Sequence, residues 1–458
     1  MKPSARRVAL DLLVQVDVHG AYANLALPRL LEHSGLSLRD RAFATELGYG
    51  TLRALGSLDH LVGLDASRPV GEVEPEVRAA LRLGAYQLWR LRTPAHAAVG
   101  EAVGLVPERA RGFVNAVLRQ TATRCKSADP LALQGLPALD ALALDSAHPQ
   151  WVVELYREAL GSDDELRAAL DADNVSPPVH LVALPHRMSA DELAVESGGG
   201  RGRWSPYCVV LPGGDPATLQ SVRRGAARVQ DEGSQLAALA LERALPPDPH
   251  PSRFADVPGG PVDDVTAQSL MRHVQVLERL VDLCAGPGGK AALLGALGDS
   301  RRQVVAMELR PHRARLVRNS GVDAVVVADG RVPPLPPGCA DGVLLDAPCS
   351  GLGALRRRPE SRWRRTPDDL PGLVARQREL LASAWTLLEP GGVLAYVVCS
   401  PVLAEAVIDV PEDGELLDAP GLLGLPDHAR APENPRRMQL WPHRHGTDAM
   451  STVLLRKH

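Results

Sequence analysis

Apolar residues in the first quarter of the chain recur at three- and four-residue intervals: Val8, Leu12, Leu13 and Val16, then Leu25, Leu27, Leu30 and Leu31. That is the spacing of one helical face. Further helices are predicted over Asp40 to Leu55, Glu74 to Leu91, His96 to Val106 and Gly112 to Thr121, with Pro69, Pro94 and Pro107 as breaks. Residues 1–140 therefore read as an all-helical domain. The stretch from Asp129 to Asp145 is rich in leucine and alanine but has little periodicity, and it reads as a linker into HPQW at His148 to Trp151. Over 146–228 helical stretches alternate with short strands, VHLVAL at Val179 to Leu184 and YCVVL at Tyr207 to Leu211, with a loop at Gly198 to Gly200 between them. A small α/β connecting module is expected there.

From Val229 the pattern becomes strand, glycine turn, helix. Apolar runs at Leu280 to Leu283, Val304 to Met307, Ala324 to Val327, Gly342 to Leu345 and Val393 to Val398 alternate with helical stretches. This predicts a mostly parallel, doubly wound sheet over 229–458. The Pro-rich stretch Leu245 to Gln275 reads as an insertion before the first of these strands. Open α/β sheets bind ligands just beyond the carboxyl ends of their strands, so the residues at those ends carry the chemistry.

The turn after the first run is Cys284, Ala285, Gly286, Pro287, Gly288, Gly289, Lys290. An ATP-binding Walker A loop would need glycine in place of Cys284 and Ser or Thr in place of Ala291, so phosphate cradling is disfavoured. The GxGxxG/A dinucleotide pattern fits loosely from Gly286 to Ala291. S-adenosylmethionine (SAM) also calls for glycines here, to let backbone approach its carboxylate and ribose. The next three runs end in or near Glu308, Asp329 and Asp346. Three acids in succession suit ribose hydroxyls, an adenine amino group or a substrate base, and they repel phosphates.

Six cysteines, at 125, 208, 284, 339, 349 and 399, form no CxxC pair, so neither a metal site nor a disulfide framework is expected. Cys125, Cys208 and Cys339 read as small buried hydrophobes. Cys349 in DAPCSG and Cys399 in YVVCSP each stand where an apolar run ends, which turns both thiols toward one crevice. Carbon 5 of a pyrimidine is a poor nucleophile. A thiolate adding at carbon 6 makes carbon 5 enamine-like and able to attack the sulfonium methyl of SAM, after which the carbon 5 proton and the thiol must leave. An acid at Asp346, bonded to ring N3 and the amino edge, would favour cytosine. The base must be splayed from its stack to reach such a site. Spacing alone does not choose between the thiols, because DNA cytosine methyltransferases use a proline-cysteine nucleophile like Pro348 and Cys349.

Net charge is −4, yet only four of the 51 basic residues are lysine and many arginines cluster. Arg356, Arg357, Arg358, Arg362, Arg364 and Arg365 surround a single acid, Glu360, with Trp363 among them. Guanidinium groups bind phosphates and stack on unpaired bases, so these seven basic and aromatic residues are expected to contact RNA. The start of the chain does not read as a signal peptide, and no run approaches a membrane span. A cytoplasmic protein without a membrane partner is expected, its oligomeric state open but a monomer favoured.

DLCAGPGGK, LLDAPCSGLG and YVVCSP resemble the motifs of the Sun-type RNA cytosine-5 methyltransferases. DRAFATELGYGTLR, LRLGAYQLWRL and GFVNAVLR resemble the RNA-binding NusB-like domain of the bacterial 16S ribosomal RNA member, and VQDEGSQ and LWPHRHGTDAM resemble its flanking methyltransferase motifs. The resemblance implies a class I SAM-dependent methyltransferase sheet preceded by a NusB-like domain, acting on a cytidine of small-subunit ribosomal RNA. It assigns the nucleophile to Cys399 and product release to Cys349. It carries SAM contacts to Cys284 through Lys290, and to Glu308, Arg313, Asp329 and Asp346. Glu308 stands where aspartate is frequent, and PVLAEAVIDVPEDGE after Cys399 leaves little room for the usual full helix. Two other functions compete: a dinucleotide-dependent dehydrogenase, and a noncatalytic RNA-binding or ribosome-assembly protein, which a short segment after Cys399 would favour.

Overall fold

In the computed structural model, which describes residues 4–246, 278–298 and 302–458, the chain divides into two units. One contains the chain up to Ser176 together with Ala354–Pro367; the other contains Pro177–Gly353 and Asp368–His458.

The first unit is helical: α1 Ala5–His19, α2 Ala23–Glu32, α3 Leu38–Arg53, α4 Leu55–Gly63, α5 Pro75–Trp89, α6 Ala95–Leu105, α7 Glu108–Arg124, α8 Ala138–Ser146, α9 Gln150–Leu160 and α10 Asp163–Asp173. Ser4 caps α1 by accepting from the Arg7 N–H, and Gly20 closes it in the left-handed region at φ 61°. The periodic leucines Leu12, Leu13, Leu27 and Leu31 are buried together with Leu47, Leu58, Leu81 and Leu118 in one core. The helical region extends further than the periodicity predicts. Part of the expected linker is α8, because ALDALALDS has high helix propensity even without a clean apolar face. Helices α9 and α10 also belong to this unit rather than to the connecting module.

The second unit holds two sheets. Strands β1 Val179–Ala183, β2 Gly200–Arg201, β3 Cys208–Leu211 and β4 Ala227–Val229 form an antiparallel sheet ordered β2-β3-β1-β4. Its Val182 and Leu184 pack into the core of the larger sheet. That sheet comprises β5 Glu278–Asp282, β6 Arg302–Glu308, β7 Ala324–Val327, β8 Ala340–Asp346, β9 Leu388–Val398, β10 Gly414–Leu417, β11 Met438–Leu440 and β12 Met450–Lys457. The order β10-β12-β9-β8-β5-β6-β7 is parallel from β9 to β7 and antiparallel where β12 joins β9. All five predicted runs are strands. β8 and the second half of β9 are buried along nearly their whole length, as expected of strands covered on both faces. Apart from Leu245 and Pro246, the insertion expected over Leu245 to Gln275 lies outside the described residues.

Candidate active site

Strands β8 and β9 are direct neighbours, with Asp346 opposite Val397, so the two chains leave the sheet side by side. Three residues beyond Asp346 comes Cys349, and one beyond Val398 comes Cys399. Their sulfurs stand 3.4 Å apart. The following serines repeat the pairing, Ser350 Oγ lying 3.1 Å from Ser400 Oγ. Backbone closes the crevice: the Gly353 N–H donates to the Cys399 carbonyl at 2.9 Å, and the Ala449 N–H to the Gly353 carbonyl at 2.8 Å. Only glycine fits at 353, since a Cβ there would meet the Ala449 oxygen at 1.8 Å.

The two thiols face different charges. Cys349 is held well above the usual thiol range, first by its hydrogen bond to Cys399, then by burial and the nearby charges of Cys399 and Glu405. Cys399 instead lies in the field of Lys290. Burial alone would push the Lys290 ammonium down. The Asp346 carboxylate at 2.6 Å, with Cys399 and Asp282 farther off, more than offsets this and leaves it raised. Asp282, at the end of β5, is fully enclosed, and burial followed by the Asp346 charge pushes its carboxyl up to about 7. One of its oxygens is buried without a hydrogen-bond partner. Asp282 stands inside the apolar run Leu280 to Leu283 and opens the DLCAGPGGK motif, and neither marks it as a site residue.

Beside this lies the glycine turn. The Glu308 carboxylate, at the end of β6, accepts from the Gly286 N–H at 3.2 Å and the Arg310 N–H at 2.9 Å. A Cβ at Gly286 would come within 2.2 Å of Glu308 Oε2, and Gly288 has φ +98° with Ser320 and Val317 against it. Arg313 donates to the Gly286 carbonyl and lies 3.7 Å from Glu308. Cys284 is pushed up by burial and by the charge of Asp282. This narrow, carboxylate-lined cradle suits a ligand that offers hydroxyls and a cationic head, and SAM fits that description. Asp329 is held below the usual carboxylate range by the hydrogen bond from Arg331, which also pairs with Glu379. Arg331 was not among the expected site residues.

Two expectations change. Cys208 is no isolated hydrophobe: with His180 and Glu232 it forms a buried trio whose potential ligand atoms lie within 4.8 Å of one another. There the Glu232 N–H donates to His180 Nδ1 at 3.1 Å, and Glu232 Oε1 accepts the N–H groups of Trp204 and Ser205. The larger correction concerns the arginine stretch. Arg362 is completely buried and donates to the carbonyls of Arg53, Ala147 and Asp173 and to Asn174 Oδ1. Arg53 and Asp173 end α3 and α10 and Ala147 caps α8, so the guanidinium collects unsatisfied carbonyls from three helix C-termini. Arg356 is also buried. Trp363 packs on Gly56, and Arg364 bonds the Ala21 carbonyl and stacks 4.6 Å over the Tyr22 ring. Of the seven expected RNA contacts, Arg358 alone is exposed, Arg357, Trp363, Arg364 and Arg365 being half-buried.

A doubly wound sheet with a glycine turn and acids at successive strand ends defines a class I SAM-dependent methyltransferase. The chain belongs to the RsmB/F family of 16S rRNA methyltransferases, whose model matches residues 270–456, with a NusB-family segment over 3–123. The Mycobacterium tuberculosis protein MT1451 is 46% identical over 99% of this chain and 96% of its own length. The ribosomal RNA small subunit methyltransferase B of Pseudomonas syringae pv. tomato is 31% identical, covering 92% of this chain and 90% of that protein. The crystal structure of PH0851 shares the fold, with a TM-score of 0.77 at 22% identity, covering 100% of this chain and 99% of that one. No helix among the described residues is long and apolar enough to cross a membrane.

Proposed function

We propose that the protein methylates carbon 5 of a cytidine in 16S ribosomal RNA through a covalent bond between Cys399 and carbon 6. The observation that carries this reading is the thiol pair 3.4 Å apart, with Lys290 toward one member and Glu405 toward the other. The family resemblance assigns the attack to Cys399, and the Lys290 ammonium in whose field it lies favours its thiolate. Asp346, a third exposed and anchored by Lys290, accepts a hydrogen bond from the amino group of the cytosine.

When bound, SAM supplies the methyl group on a sulfonium, whose carbon–sulfur bond breaks as carbon 5 takes the methyl. Glu308, the glycine turn and Asp329 bind its ribose and adenine, and Arg313 braces the turn. The carbon 5 proton then passes to water, and the electrons of that carbon–hydrogen bond form the carbon 5–carbon 6 double bond. The bond between carbon 6 and Cys399 breaks as the departing sulfur takes the proton of Cys349, 3.4 Å away. Relatives named as ribosomal RNA small subunit methyltransferase B, including that of Escherichia coli at 31% identity, support ribosomal RNA as the substrate. The NusB-like unit would recruit the RNA, in the cytoplasm.

Labelled SAM and undermethylated ribosomal RNA test this. Cys399→Ala is expected to lose transfer and form no adduct, and Cys349→Ala to accumulate a protein–RNA species that survives denaturation. Full activity in Cys399→Ala would remove the nucleophile assignment. Tight RNA binding without any transfer by the wild type would favour the noncatalytic assembly reading instead.

A further inference from the structure

The segment after Cys399 forms a helix of only four residues, Leu403–Ala406, and one of those residues, Glu405, is a fully buried acid. Among the described residues its carboxylate accepts hydrogen bonds only from neutral donors. Oε1 accepts the Ser350 N–H at 2.7 Å and the Gln377 amide at 3.1 Å, while Oε2 accepts the Ser350 hydroxyl at 2.6 Å. Gln377 donates as well to the Pro348 carbonyl at 3.0 Å. Ser350 Oγ in turn meets Ser400 Oγ, which accepts the Val402 N–H at 3.2 Å. The main chain of Glu405 is fixed too, its carbonyl accepting the Tyr396 hydroxyl at 2.8 Å.

Every one of these bonds lands on residues 348–350 or 396–402, the two segments that carry the thiols, or on Gln377, which braces them. A carboxylate held out of water is costly to bury unless its lone pairs are satisfied by hydrogen bonds. Oriented N–H and O–H donors from the cysteine loop satisfy it, and in return fix that loop against the next one.

We propose that Glu405 is the positioning residue of the thiol pair: it holds the Cys349 loop against the Cys399 loop. This rests on the reading that Cys399 is the nucleophile and Cys349 the release group. The charged and titratable groups described around Cys349 are Cys399, Glu405 and Tyr396, and Lys290 in turn acts on Cys399. Glu405 is the carboxylate of that set, and its charge opposes loss of the Cys349 proton.

The test uses the full chain with Glu405→Gln, nearly isosteric but uncharged, and Ser350→Ala, which removes one donor and leaves the acid. Glu405 touches none of the residues assigned to SAM, so SAM affinity by calorimetry is expected to stay within about twofold. Turnover is expected to fall roughly a hundredfold, as for a small misplacement of reacting groups, with KM for RNA little changed. The covalent protein–RNA species should accumulate, because release is the step that depends on Cys349. Alkylation of Cys349 by iodoacetamide, followed by peptide mass spectrometry, should move to lower pH by about one unit in Glu405→Gln. A brace that only supports the fold would not move that profile. An unchanged turnover and alkylation profile in Glu405→Gln overturns the proposal. If Glu405→Gln does not fold, Ser350→Ala decides: adduct accumulation supports the proposal, and wild-type release overturns it. Failure of the nucleophile reading is separate, since it shows as transfer by Cys399→Ala whatever Glu405 does.

Discussion

Lys290 and Arg362 are both buried cations, one in each unit, and they differ in what they face. Lys290 meets a carboxylate at 2.6 Å that is itself a third exposed, with a second acid and a thiol nearby. Arg362 meets main-chain carbonyls at the ends of three helices and one amide oxygen. Carbonyls are fixed dipoles that neither titrate nor swing away, so Arg362 behaves as a structural clamp. Under the proposed function the Lys290–Asp346 pair would be re-partitioned when a base arrives at Asp346, which would make it part of the chemistry. Burial of a charge is common to both regions; the mobility and protonation chemistry of the partner separates them.

The largest effect is expected at Lys290. Lys290→Met leaves Asp346 without its anchor and Cys399 without its nearby cation. Methyl transfer should drop by roughly 10² to 10³, the cost of removing one electrostatic group from a reacting site. The loss should appear in kcat for labelled methyl transfer, with the helical unit's far-ultraviolet signature unchanged. A Lys290→Met enzyme as active as wild type would place Lys290 in the same structural class as Arg362.

Arg362→Met should do the reverse. Three helix-end carbonyls lose a charged donor inside the protein, which costs roughly 3 kcal/mol in unfolding stability. Urea denaturation reads the loss, and SAM affinity measured on the folded protein should stay within about twofold. If instead SAM affinity collapses and stability holds, the clamp assignment fails.

The same contrast explains what the sequence discloses. Strands β5 to β9 are visible as short apolar runs, β8 and the second half of β9 most clearly because they are covered on both faces, and an open sheet fixes where ligands must approach. The glycine turn, the acids and Cys349 and Cys399 therefore announce themselves as strand-end residues. Their partners do not. Lys290 and Asp346 are 56 residues apart and meet because β5 lies beside β8, a pairing no local pattern contains. Glu405 sits on a helix too short for periodicity to register. The arginine stretch misleads for the opposite reason: a dense run of charge reads as a solvated face, whereas here the chain passes into the helical unit at Ala354 and leaves it at Pro367, and helix-end carbonyls absorb the charge.

Asp282→Asn sharpens the comparison through pH. A carboxyl raised to about 7 binds more protons folded than unfolded, so its contribution favours folding at low pH and is lost as pH rises from about 4 through 7. The shift corresponds to at most on the order of 4 kcal/mol. Because asparagine is also costly to bury, the net gain for Asp282→Asn at pH 9 should be roughly 2 kcal/mol. Near pH 4, where wild type buries the neutral acid, the same cost should leave Asp282→Asn roughly 2 kcal/mol less stable than wild type, so the sign of the difference reverses between the two pH values. A pH-independent difference would mean that Asp282 stays ionised and is part of the Lys290–Asp346 charge network throughout.

The smallest effect is expected at Arg358, the exposed member of the arginine stretch. If this part of the chain still touches RNA, the contact is through a solvated guanidinium and a phosphate. Arg358→Ala should then weaken RNA binding only about threefold and lower the slope of log affinity against log salt by about one, with unfolding stability unchanged. Arg362→Met should leave that salt slope alone, because a guanidinium that already serves three helix ends releases no counterion when RNA binds. Measured side by side, the two variants separate an arginine that binds a polyanion from one that replaces the water at helix termini. Equal salt slopes for Arg358→Ala and wild type would remove the one fully exposed member of the seven expected RNA contacts, and would leave RNA recruitment to the rest of the helical unit's exposed surface.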